Sequence, residues 1–182
     1  MGQDNIYVYN YNTPDNPKYI NSGIPNGVNI WTTNNTILTV HTHPFGTNSA
    51  PSPSDAIFLV KNYKNGSINI KANVAFGADG SEYMVYVDNA STFAAFCNNP
   101  SYSSFIENDG AYFKQGSIWR TEYDNAYNRM VEQGYSVNDA QSYALTYALR
   151  NTGLKVYQKK TGAFKEQKTE LSQNNYSAKI CP

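Results

Sequence analysis

The two histidines of this chain, His41 and His43, stand two residues apart. They close the run Thr36-Ile37-Leu38-Thr39-Val40-His41-Thr42-His43, which is β-branched and aliphatic, follows Asn34-Asn35, and reads as a strand. Alternate side chains of a strand share a face, so Ile37, Thr39, His41 and His43 point one way. Two imidazoles placed like this can converge on a single ion. One loop later Ser52-Pro53-Ser54-Asp55 opens an apolar run. A helix that starts there, beside the end of the strand, presents Asp55 to the same point. His, His and Asp are ordinary zinc ligands, and three protein ligands leave a fourth position for water.

Each half of this pattern also has a plainer reading. His-Thr-His alone is a strand with polar residues on a wet face. Ser52 alone is a good N-cap, with Pro53 at the first helical position and Asp55 three residues after the cap. Capping accounts for Ser52 and Asp55 but not for two histidines one loop earlier, so the metal reading is preferred.

His41-Thr42-His43-Pro44 followed by Ser52-Pro53-Ser54-Asp55 resembles the JAMM signature of the JAB1/MPN/Mov34 metalloenzymes. The proline-rich stretch from Pro51 to Asp55 looks closer to bacterial members, such as RadC-like proteins and the JAB-like domains of polymorphic toxins. The resemblance covers about fifteen residues, in agreement with the strand before and the helix after. It implies zinc bound by His41, His43 and Asp55, a serine (Ser52) that positions water or stabilises the oxyanion, and an upstream glutamate as general base. The chain departs from the pattern there: residues 1–40 hold no glutamate, and their acids are Asp4 and Asp15. Either an aspartate stands in, with Asp4 preferred because it adjoins a strand, or the glutamate lies further upstream in a longer parent, or it has been lost.

The elements that must position these residues follow from the pattern along the chain. Residues 5–11 read as a strand, 13–17 as a turn-rich loop with two prolines, 18–20 as a short strand and 21–29 as loop. Residues 55–63 read as a helix that is apolar all round and ends at Asn65-Gly66. Residues 67–76 and 82–87 read as a hairpin across two glycines, with Tyr83, Val85 and Val87 on one face. A short helix over 91–97 is capped by Ser91. Trp119, Tyr123, Ala126 and Met130 recur at helical spacing up to Gly134. A further helix begins at Ser136, with Ala140, Tyr143, Ala144, Tyr147 and Ala148 as its stripe. Residues 154–159 and 163–171 read as a late hairpin, and 172–182 as a polar tail, disordered or docked through Ile180 and Cys181. Glu82 reads as a solvated strand end. The pairs Glu107/Asp109 and Glu122/Asp124 are candidates for carboxylate chemistry, but helical residues two apart share no face, so Glu122 with Asp124 reads as solvated.

A length of 182 residues suits one domain, assigned here to 1–182. Lys+Arg and Asp+Glu both number 14, which leaves no basic footprint for a nucleic-acid partner. Cys97 and Cys181 lie in no C-x-x-C pair and read as one buried thiol and one tail thiol. No apolar run reaches the length of a membrane helix, and the first residues lack a signal peptide's regions. That leaves a cytoplasmic protein, or an exported one whose targeting part is absent here.

The expected fold is α/β (α+β): a central mixed, mainly antiparallel sheet with flanking helices, which the resemblance makes JAB/MPN-like, of cytidine-deaminase-like architecture. Two functions follow. One is a zinc-dependent hydrolase of amide or isopeptide bonds with a peptide or protein substrate, an effector, toxin or peptide-processing domain. The other is a non-catalytic metal-binding or interaction module that has lost its base.

Overall fold

The computed structural model describes residues 5–10, 13–21, 32–43, 46–100, 106–107 and 112–182, with 5–10 and 13–21 described as backbone. It is an α+β structure with strands β1 (Asn5–Asn10), β2 (Thr13–Asn21), β3 (Thr36–His43), β4 (Ala72–Gly77), β5 (Glu82–Val87), β6 (Leu154–Lys159), β7 (Lys165–Ser172) and β8 (Asn175–Ile180). The helices are α1 (Pro53–Lys64), α2 (Ala90–Asn98), α3 (Ile118–Glu132) and α4 (Val137–Ala148). The strands lie in the order β2-β1-β3-β4-β5-β6-β7-β8. The sheet is mixed: β3 and β4 run parallel, and the other neighbouring strands pair antiparallel. The parallel pair is joined by α1, as parallel neighbours need a crossover.

The residues of α1 explain both its ends and its burial. Ser52 is the N-cap, Pro53 supplies a preset φ at the first position, and Lys61 and Lys64 lie at the carbonyl end of the dipole. Asn65 caps the C-terminus and Gly66 follows at φ +97°, a left-handed conformation that suits glycine. Ala56, Ile57, Leu59 and Val60 are fully buried, as an apolar helix demands. They join Val85, Val87, Phe93, Met130, Leu145, Leu149, Leu154 and Val156 in one core cluster that spans all four helices and the sheet.

Several expectations need correction. Residues 13–17 are not a turn-rich loop but part of β2. That strand is at the edge of the sheet, where proline is tolerated because one side of the strand needs no ladder donor. The register with β1 slips between Val8 and Asn10, which takes up the irregularity. The first arm of the hairpin starts at Ala72 rather than 67. Residues 67–70 turn back instead, with Ser67 N–H donating to the Asn62 carbonyl and Ile70 N–H to that of Ser67. The cap of α2 is Asn89, whose side chain accepts from Thr92 N–H, not Ser91. The helix beginning after Ser136 ends at Ala148, before Gly153.

The tail is neither disordered nor simply docked. Residues 175–180 form β8, paired with β7 along its whole length. Pro44, Asp109 and residues 22–29 of the expected loop lie outside the described residues.

Other expectations hold in the structure. Tyr83, Val85 and Val87 are buried together, and Tyr123, Ala126 and Met130 form the inner stripe of α3. Ser136 caps α4 by accepting from Asp139 N–H. Cys97 is a buried free thiol, pushed up to about 12 by burial, and Cys181 is free and half-buried. Among the described residues no helix is long and apolar enough to cross a membrane.

Candidate metal centre

The site lies where the C-terminal end of β3 meets the N-terminus of α1. His41 and His43 share one face of β3, as period-two alternation requires. Their rings are tilted by 51°, and the Nε2 atoms stand 3.0 Å apart. Asp55, in the first turn of α1, brings Oδ1 to 3.0 Å from His41 Nε2. Donor atoms from all three residues lie within 4.8 Å of one another. An ion bonded at about 2.0–2.1 Å in tetrahedral geometry separates its ligand atoms by roughly 3.3 Å, close to the two 3.0 Å separations that His41 Nε2 makes.

The chemistry of the donors also fits a cation. His43 Nδ1 is 2.7 Å from the Asn48 carbonyl, which can only accept, so Nδ1 is the donor there and Nε2 is the nitrogen that can offer a lone pair to a bound cation. His41 Nε2 then faces that lone pair on one side and a carboxylate oxygen on the other. A cation placed among the three is satisfied by all of them. The group can hold a metal ion.

Asp55 divides its two oxygens between capping and the site. Oδ2 accepts from Ser52 N–H at 2.7 Å and from the Ser52 hydroxyl at 3.1 Å, which is the helix cap expected from the sequence. Oδ1 faces His41 and accepts from Asn73 Nδ2 at 3.2 Å. Asn73 is itself fixed by Thr39, whose hydroxyl donates to its Oδ1 at 2.9 Å, across the β3–β4 pair. Burial alone would raise the acid's pKa. The opposing charge and hydrogen bond of His41, the charge of His43 and the Ser52 N–H outweigh it and hold Asp55 down at about 2. The side chains of His41 and Asp55 are 13% and 7% exposed, so the group is sheltered but reachable.

The other sequence candidates separate clearly. Ser52 is at the site through its bonds to Asp55. Asp4 lies outside the described residues. The backbone of Asp15 is in β2, near Thr13, which pairs with Asn10; Asn10 pairs in turn with Thr36. Lys18 pairs with Val8 and through it with Thr39, so Asp15 lies between the β3 rows of Thr36 and Thr39, short of His41 along the strand and two strands away. Glu82 is committed to Lys159, with Nζ–Oε distances of 2.9 and 3.0 Å. Glu122 pairs with Arg150, and Asp124 with Arg120. The sequence reading missed Asn73, Asn48 and Gln141, each of which touches a ligand or the loop that carries one. A buried asparagine inside a strand was a usable signal, because a buried amide must find partners.

Gly77, at the end of β4, marks a close approach. A Cβ there would fall inside contact distance of Ser49 Cβ and Oγ and of Asp79 Oδ1. Ser49 cannot easily retreat: it is 4% exposed and its N–H is bound to Asn138. Gly77→Ala is therefore expected to push the 46–52 loop away from the sheet and to destabilise the protein by about 1–3 kcal/mol. Urea denaturation of the metal-free protein measures it; an unchanged midpoint would mean that the loop yields freely.

Compared with known protein families, with curated proteins and with solved structures, the chain gives no significant match in any of the three.

Proposed function

We propose that the chain is a zinc-dependent hydrolase of the JAMM type, acting on an amide or isopeptide bond of a peptide or protein. The observation that carries this reading is the convergence of His41 Nε2, His43 Nε2 and an Asp55 oxygen at the mouth between β3 and α1. Two imidazoles and one carboxylate suit zinc better than the all-oxygen ions and leave one position open. The unit β3–α1–β4 also follows the order of strand, motif loop and helix on which the resemblance rests, and we read the fold as JAB/MPN-like on that ground.

When bound, zinc supplies Lewis acidity, which acidifies water and polarises a carbonyl. The chain's own residues do the rest. Asn48 and Asn73 hold His43 and Asp55 in orientation through the bonds described above. Ser52 carries a hydroxyl at the start of α1, where the helix dipole favours negative charge. Turned away from Asp55, that hydroxyl donates to the oxyanion that develops on the substrate.

A proton shuttle is still required, and Asp4 is our candidate. β1 enters the sheet beside the histidines, with Ile6 paired to His41, and Asp4 is the acid that precedes it. Asp4→Asn should lower turnover of a peptide or isopeptide library by about 10²–10⁴-fold and leave metal content unchanged. Asp15→Asn should change neither. Robust turnover that survives both substitutions together would move the base elsewhere.

The competing reading is a metal-binding module without hydrolysis. It is favoured by the lack of any glutamate in residues 1–40. Stoichiometric zinc with no turnover of the library would decide for it.

A further inference from the structure

The loop that leads from His43 to Ser52 is gripped by α4. Asn48 Nδ2 donates to Gln141 Oε1 at 2.8 Å, Ser49 N–H donates to Asn138 Oδ1 at 3.1 Å, and Gln141 Nε2 donates to the Ala50 carbonyl at 2.8 Å. Three consecutive loop residues are thus held by two side chains spaced three apart, hence on one face of the helix. Gln141 is only 8% exposed. A buried amide destabilises unless it is hydrogen-bonded, and here its oxygen and its nitrogen are both used on the loop.

The residue at one end of this grip is also the one that orients a candidate ligand. Asn48 offers its side chain to Gln141 and its carbonyl to His43 Nδ1. The carbonyl decides which His43 nitrogen carries the proton and how the ring is turned. If Asn48 drifts, His43 loses both constraints.

We infer that Gln141 is a positioning residue for the metal centre, acting through Asn48 on His43 from a helix 93 positions along the chain. The inference rests on reading His41, His43 and Asp55 as metal ligands. Gln141 touches neither ion nor substrate; its effect is on affinity and geometry at the ion, through a partner of the kind that outer-shell residues provide.

The test uses the full chain, with zinc and cobalt(II) affinity measured by competition against a chromophoric chelator. It adds the visible spectrum of the cobalt form and the melting temperature of the metal-free form. The variants are Asn48→Ala, Gln141→Leu and the double substitution. Asn48 is exposed, but its side chain satisfies the buried Gln141 Oε1, so Asn48→Ala should lower the metal-free melting temperature by a few degrees and leave the chain folded. It should nevertheless weaken metal binding about 10–100-fold and shift the cobalt spectrum. Gln141→Leu should weaken binding at least as much, and the double variant no further, because both substitutions break one link.

Wild-type affinity in Asn48→Ala, or losses that add in the double variant, would overturn the inference. Should Gln141→Leu fail to fold, Asn48→Ala alone decides. A folded wild-type chain that binds neither metal defeats the metal reading itself, and this inference with it. A wild type that binds, matched by Asn48→Ala, defeats the inference alone.

Discussion

Protein purified without chelators is expected to carry close to one zinc per chain, and His41→Ala or His43→Ala to remove it. The reason is geometric. The two Nε2 atoms and Asp55 Oδ1 form two edges of 3.0 Å, and deleting either imidazole leaves two ligands, too few to hold the ion against water. Neither substitution should unfold the chain, since both rings are only partly buried and lie outside the apolar cluster. Elemental analysis of the wild type and the two variants, with circular dichroism to confirm folding, measures this directly. A wild-type chain that is folded yet stays metal-free after incubation with zinc near neutral pH would refute the assignment. Low metal in acid would not, because protonated ligands release the ion.

The parts of this site that were legible in the sequence are those set by local rules. Period-two alternation placed His41 and His43 on one face, and helix-start chemistry placed Asp55 in the first turn of α1. Both rules act over four residues or fewer, so they survive without knowledge of the fold. The grip of α4 on the 46–52 loop was not legible. In sequence Gln141 and Asn138 are two polar residues of an amphipathic helix, indistinguishable from a solvated face. Their partners lie 89 to 93 positions away, and no local rule connects them. Asn73 escaped for a similar reason: its role exists only because β3 and β4 are parallel neighbours that set it beside Thr39.

The misread elements have particular causes. In residues 13–17 turn chemistry outvoted strand propensity, as two prolines and an Asp-Asn pair invite. An edge position reverses that vote, but edge or centre is a property of the whole sheet. The β7–β8 hairpin was hidden by its turn. Gln173 and Asn174 both adopt positive φ, 48° and 65°, as a two-residue primed turn requires. Asn-Gly is the usual signal for such a turn, and Gln-Asn carries little of it. The exposed face of β8 is polar, so its alternation around the buried Tyr176 is faint.

Asp55→Asn is expected to weaken zinc binding more than 100-fold and to change how the metal-free protein responds to acid. Both oxygens of Asp55 accept hydrogen bonds, Oδ2 from Ser52 and Oδ1 from Asn73. An amide accepts at one atom only, so one of those donors must face an NH2 group. Leaving a buried donor unsatisfied costs about 1–3 kcal/mol. The ion meanwhile loses the one negative charge among its three ligands. In the metal-free protein the sign of the pH effect is fixed by the depressed pKa. Burial works against ionisation, but His41, His43 and the Ser52 N–H together bring Asp55 from 3.8 down to about 2. A group whose folded pKa is lowered contributes stability that is fully present above its unfolded pKa and disappears as the pH falls through the folded one. The wild type should therefore exceed Asp55→Asn in stability above about pH 4, by roughly 2 kcal/mol from this linkage alone. The gap should narrow by that amount as the pH approaches 2. Urea denaturation of both proteins in chelator, across pH 2 to 6, reads the difference. A gap that stays constant through this range would show that neither the histidines nor the Ser52 N–H holds Asp55 ionised in the folded protein.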